Sequence, residues 1–246
     1  MNSNKLFTFV RLLISLSMIF AGSSVFAETT LEKIKRTGKV TVGTEAAFPP
    51  FEFVEDGKIV GYGKDILDYI VADMKVELNQ LDLPWQGILP GVLAGKFDFV
   101  ATSVSIRAER AKKYAFTVPI AEGTNWVMKR SGDASINSPD DLSGKVVCTQ
   151  LASGSEKATK EWEEDMKSRG LEGFKELKLF TAHPEATLAL ANGTCDAQTQ
   201  TVPNLAVVAK KQKGVFKLVG PITCLLYTSD AADEGLGVDL GGRRII

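Results

Sequence analysis

The stretch SVSIRAER, Ser103–Arg110, places a guanidinium just after a run that turns from apolar to hydroxyl-bearing. An arginine at such a site can form a bidentate pair with a carboxylate. Thr102, Ser103 and Ser105 can add hydroxyl and backbone donors to the same anion. A second anion-friendly feature follows later. Ser153, Gly154 and Ser155 open a helical stretch, where free N–H groups and the positive end of the dipole favour negative charge. Phe48 and Trp85 each follow a strand end, and their faces could stack on a ligand side chain or a cation. Each feature also has a plainer reading: RAERAKK as a solvated face, the hydroxyls as helix caps, the two aromatics as core. Other chemistries find no support. There is no nucleophile–base pattern and no phosphate loop, and GYGKDI lacks the third glycine of a dinucleotide site. His183 is the sole histidine, read as a lone loop residue, and no Cys/His cluster has metal spacing, so neither metal nor cofactor is expected.

The elements that must position these groups follow an α/β order. KVTVGTE is a short strand, and Asp56-Gly57 marks a hairpin. Ile66, Leu67, Ile70, Val71 and Met74 repeat at helical spacing. KVELNQLDL reads as a strand, GILPGVLAGK as a helix stopped by Gly95, and FDFVATSVS as a strand. Ala115–Arg130 is extended, with no helical period. The pattern then restarts with strands KVVCTQ, FKELKLFT, CDAQTQT and VFKLVG alternating with three helices. Such alternation calls for an α/β layer with a largely parallel sheet in each of two lobes. Ligands of parallel sheets bind at the carboxyl ends of strands. Those ends here hold GTEAAF, ATSVS, TQLASGS and QTQT, which describes a polar cleft at a lobe interface.

Lys5 and Arg11 precede the apolar run Leu12–Phe20, and Val25 and Ala27 sit at the small positions of a cleavage site. Residues 1–27 therefore read as a secretory signal peptide, cut after Ala27. The run is too short to span about 30 Å of hydrocarbon. A net charge of −1 gives no electrostatic case for nucleic acid. Cys148 and Cys195 could pair in an oxidising compartment or remain two separate buried thiols.

GTEAAFPPFEF…GKIVGYGKDIL, PWQGILPGVLAGKFDFVATSVSIRAERAKKYAFTVPI and DLSGKVVCTQLASGSEKATKEW together resemble the family 3 solute-binding proteins, the periplasmic amino-acid receptors of ABC importers. The resemblance runs from Glu28 to about Ile222. It implies the two-lobe type II periplasmic binding (Venus-flytrap) fold: lobe 1 over 28–118, a hinge segment over 119–130, lobe 2 over 131–223. It also implies a periplasmic monomer that closes over a small carboxylate-bearing ligand and then meets a membrane ABC permease. By the same resemblance Arg110 pairs with the ligand carboxylate, with Ser103 and Ser105, and Thr102 beside them, at the same end. Phe48 and Trp85 flank the ligand side chain, Ser153–Ser155 meet the carboxylate from lobe 2, and Gln150 contacts the side chain.

Two departures matter. Thr201 stands where relatives that bind α-amino acids carry the aspartate for the ligand ammonium. Burying an unpaired ammonium is costly. Either Glu45 takes that role or the ligand is not an ordinary α-amino acid. Arg107 stands where a capping Thr, Ser or Asp is common. An enzyme on the same fold, a cyclohexadienyl-type dehydratase, would need a general acid in the cleft, for which Glu45 and Glu122 are the candidates. The sensor domain of a truncated receptor is the third reading. Finally, CLLYTSDAADEGLGVDLGGRRII resembles translated sequencing adapter. Residues 224–246 are therefore expected to be non-native, with the last part of lobe 1 missing.

Overall fold

The computed structural model describes residues 28–222 and 244–245. The expected signal peptide and nearly all of the adapter-like stretch lie outside the described residues. Helix α1 (Thr30–Thr37) belongs to an N-terminal unit that ends at Thr37, and a second unit begins at Gly38. Thr29 and Glu32 form a reciprocal capping box at its start: the Glu32 amide donates to Thr29 Oγ1 at 3.2 Å and the Thr29 amide to Glu32 Oε2 at 2.8 Å.

The second unit contains two α/β lobes. In the first, β1 (Lys39–Thr44) lies between β5 (Glu77–Asp82) and β6 (Phe99–Val100), all parallel. A small antiparallel sheet of β2 (Ala47–Phe48), β3 (Glu52–Glu55) and β4 (Lys58–Val60) follows β1. Its hairpin turns at Asp56 and Gly57, both with positive φ (50° and 74°), the twist a two-residue hairpin needs. Helix α2 (Tyr62–Met74) forms as its spacing predicts, but only Leu67 is buried and Ile70 is exposed. Helix α3 (Trp85–Leu93) buries Trp85, Ile88 and Val92 with Phe97, Val100 and Tyr114. The Phe97 ring fills the space between Gly43 and Gly91, where a Cβ on either would come within 2.6 Å of it. The strand expected over Phe97–Ser105 is short. Only Phe99–Val100 pairs, and the hydroxyl-rich remainder is loop that leads into helix α4 (Ala108–Ala111) and β7 (Tyr114–Ala115). Arg244–Ile245 (β13 at the chain's end) pairs in parallel with β7.

The second lobe is built on β8 (Asn125–Arg130), β9 (Val146–Gln150), β10 (Glu176–Phe180), β11 (Ala197–Thr201) and β12 (Phe216–Pro221), in the order β10-β9-β11-β8-β12. Helices α5 (Gly154–Ser168), α6 (His183–Ala191) and α7 (Val202–Lys211) alternate with them. Successive strand residues face opposite sides, and both sides are covered. Val127, Val147 and Ala197 pack with Ala158 and Met166 of α5. Met128 packs with Leu190 of α6, Leu205 of α7 and Phe216.

The sheet is more mixed than expected, because β8 runs antiparallel to both β11 and β12. Asn125–Arg130, read from sequence as part of the connecting segment, is thus an interior strand whose Val127 and Met128 are fully buried. Cys148 and Cys195 are both buried and joined by a disulfide across a Cα–Cα distance of 6.0 Å. Among the described residues no helix is long and apolar enough to cross a membrane.

Candidate functional site

The loops at the strand ends of the two lobes meet. On the first lobe, Arg110 in α4 donates from Nη1 to the carbonyl and the hydroxyl of Ser105, each at 3.1 Å. Its guanidinium carbon lies 5.3 Å from the centre of the Trp85 ring, within range of a cation–π attraction. Trp85 starts α3 right after β5, so the parallel sheet aims it at the seam. Its Nε1 donates to the Ala152 carbonyl of the second lobe at 2.9 Å. Next to Ala152, Gly154 opens α5. A Cβ there would lie 2.6 Å from Ser105 Oγ and 3.3 Å from Arg107 Nη2, so a larger residue would have to displace these side chains. Arg107 donates from Nη2 to the Gly154 carbonyl at 2.5 Å. It makes no side-chain cap for α4, as its residue type implies. Glu109 and Lys157 form an exposed ion pair across the same seam.

A second contact links Glu45, just past β1, to Gln150 at the end of β9. Gln150 Nε2 donates to Glu45 Oε1 at 2.5 Å and to the Thr181 carbonyl at 3.1 Å. Burial raises the Glu45 carboxyl to about 7; the Asp82 and Glu52 carboxylates push the same way, and the Gln150 hydrogen bond opposes. Gln86 Nε2 adds a bond to the Thr181 carbonyl at 3.1 Å, and Asn204 Nδ2 donates to the Pro49 carbonyl at 2.9 Å. Phe48 stacks on Phe51 at 5.5 Å, with its ring centre 5.4 Å from that of His183.

Arg110, Ser105, Trp85 and Gly154 are therefore brought together, as are Glu45 and Gln150. The remaining hydroxyls turn elsewhere. Thr102 Oγ1 (3.3 Å), Ser103 N (3.1 Å) and Ser103 Oγ (3.0 Å) all donate to the carboxylate of Glu52 in β3. Burial raises Glu52 to about 7 despite these bonds. Ser153 Oγ caps α5, accepting from Glu156 N at 3.1 Å and donating to the Gln150 carbonyl at 2.7 Å. Ser155 Oγ lies inside the second lobe, 2.6 Å from Asn125 Oδ1 and 2.7 Å from Gln200 Oε1. Thr201 Oγ1 and Gln200 Nε2 are buried without a hydrogen-bond partner among the described residues. Glu122 is exposed.

Sequence reasoning did not single out Glu52, and it took Arg107 only as a weak cap and His183 as a lone loop residue. The signal for Glu52 was an acid flanked by Phe51 and Phe53 in a short strand. For His183 it was a histidine directly before proline at a helix start, where the ring must pack against whatever precedes the helix. Instead of lying in a loop, His183 is buried at the first turn of α6, and burial lowers it to about 3.

Comparison with known proteins shows the family and the fold. The family model for bacterial extracellular solute-binding proteins, family 3, matches residues 40–220. The L-cystine-binding protein TcyJ of Escherichia coli (strain K12) is 34% identical over 143 residues, 56% of this chain and 54% of that protein. The arginine-binding protein ArgT of Corynebacterium glutamicum is 28% identical over 191 residues, 77% of this chain and 62% of that protein. The chain thus spans between about half and two thirds of the length of these relatives. Among solved structures, an ancestral arginine-binding protein bound to arginine matches with a TM-score of 0.68 and 33% identity, over 75% of this chain and 79% of that one. The ancestral amino acid-binding protein AncCDT-1, a precursor of cyclohexadienyl dehydratase, matches with a TM-score of 0.69 and 28% identity, over 78% and 83%.

Proposed function

Because the chain belongs to the bacterial extracellular solute-binding proteins, family 3, we propose that it is a periplasmic receptor of an ABC importer, and that it holds an amino acid or a closely related small carboxylate between its lobes without covalent chemistry. The observation that carries this reading is the Arg110 guanidinium, lodged between Trp85 and Ser105 at the seam with Gly154. A fork of N–H donors so held is pre-organised for a carboxylate. The α5 N-terminus adds its free amides.

Phe48 and Trp85 supply the faces for the ligand side chain, with Gln150 at the far wall. Glu45 supplies the carboxylate for an ammonium, in place of the neutral Thr201. Ser103 and Thr102 act through Glu52, which fixes the loop that carries Ser105. The connection from the first lobe to the second precedes β8, which pairs within the second sheet. Closure about that connection would present a new surface to the permease.

Screening amino acids, opines and dicarboxylates by thermal shift should identify solutes that raise the melting temperature. In Arg110→Ala that rise should vanish for every one of them. A rise of wild-type size in the variant would sink the carboxylate clamp.

A further inference from the structure

A cavity of about 210 Å³ lies where α6 and α7 meet the loop after β2. It is lined by one stripe of α6 (His183, Thr187, Leu188), one of α7 (Asn204, Val208) and by Pro49 of the first lobe. None of the residues assigned above to the carboxylate clamp lines it, and neither does any charged side chain. Its volume falls below the roughly 300–1,000 Å³ of a pocket that encloses a whole drug-sized ligand. It suits a few-atom solute, or part of a larger one.

Thr187 and Asn204 on its wall are spoken for, and one buried nitrogen is not. Thr187 Oγ1 donates to the His183 carbonyl (3.2 Å) and to Gln198 Oε1 (3.0 Å). Asn204 Nδ2 donates to the Pro49 carbonyl. Among the described residues His183 Nδ1 is buried with no partner, and the residue is 5% exposed. A buried imidazole nitrogen without a partner is destabilising. An occupant of the cavity can remove that cost. Burial also keeps the ring neutral, so the wall offers no charge to an ionic guest.

We propose that this cavity is a binding site for a neutral, mostly apolar group with one hydrogen-bonding atom, which pairs with His183 Nδ1. The group is either the distal end of the cleft ligand or a separate small solute. In the first case the inference rests on the cleft reading; in the second it stands alone. Because Pro49 comes from one lobe and both helices from the other, an occupant favours the arrangement in which the lobes meet. It is therefore coupled to the cleft ligand through closure.

His183 is the only histidine in the chain, so its ring nitrogens give unambiguous signals in a long-range ¹H–¹⁵N correlation spectrum. Indole, neutral and apolar with a single N–H, is the probe. Titration into the full chain should shift the His183 Nδ1 signal saturably and raise the melting temperature. Leu188→Trp, at a side chain 66% exposed and so tolerated by the fold, should fill the cavity and abolish both effects. Phenylalanine and leucine form the second arm. If they move the same signal and compete with indole, the group is the cleft ligand's own side chain. If indole binds equally to wild type and Arg110→Ala without such competition, it is a separate solute. No saturable shift of His183 with any of the three probes, or an unchanged indole shift in Leu188→Trp, would overturn the proposal. Neither result touches the carboxylate clamp, which the Arg110 variant tests alone.

Discussion

Loss of the Cys148–Cys195 bond should lower the free energy of unfolding by about 4 kcal/mol. The bridge closes a loop between residues 47 apart, and the chain-entropy model gives about that figure for such a loop at 25 °C. Its Cα–Cα distance of 6.0 Å lies in the usual range for a disulfide. Both sulfurs are buried with Ala186 and Ala189 of α6, so reductant reaches them only through opening. The measurement is denaturant unfolding of the oxidised protein against the Cys148→Ala/Cys195→Ala double variant, which avoids reductant altogether. The midpoint should fall. The slope should rise somewhat if the open chain is more expanded. Cys148 and Cys195 should also resist alkylation in denaturant until reductant is added. Alkylation of both before reduction would show that the bond does not form.

Stability should also fall as pH rises from about 4.5 to about 7, through two buried carboxyls. Glu45 and Glu52 are 6% and 2% exposed, and each is raised from 4.5 to about 7 in the folded chain. Between those values the folded state holds protons that the unfolded state has released, so unfolding becomes easier with increasing pH. A difference of that size corresponds to roughly 3 kcal/mol per group. The stabilisation is fully present below 4.5 and lost above about 7. Glu52→Gln should remove its share of the slope while retaining the local bonds. The amide oxygen accepts from Ser103 N, and the NH₂ donates to the Ser103 hydroxyl. Urea unfolding at pH 5 and pH 7.5 measures the effect. A Glu52→Gln profile identical to wild type would show that Glu52 titrates normally.

Much of the architecture was legible because it is local. The Asp56-Gly57 turn, the stop at Gly95 and the alternation of helix and strand in the second lobe all rest on neighbours in sequence. Strand β8 was legible only as extended. An apolar run without a helical period does not reveal that both of its faces are covered by helices that come much later. The Arg110–Ser105 contact was legible because the two residues are five apart in the chain.

Partners distant in the chain were not legible. Ser103 and Thr102 were recognisable as donors, but nothing near them names Glu52 as the acceptor. The Glu45–Gln150 bond likewise exists only where two lobes touch. Cys148 and Cys195 could be weighed as a pair but not decided, because sequence does not fix the Cα spacing of residues distant in the chain.

The position of β8 has a consequence for synthesis on the ribosome. It is the first strand of its sheet to emerge, yet its neighbours are β11 and β12, the last two to appear. Arg130 waits for Phe216 and Trp126 for Pro221. Until β11 emerges, Val127 and Met128, which end fully buried, belong to a nascent strand with neither edge paired, and one edge stays open until β12 follows. The strands β9 and β10 can pair with each other well before that. The sheet therefore grows from β9 and β10 and captures its oldest strand only once β11 is made, an order in which non-local pairing is slow and exposed apolar edges are in need of a chaperone.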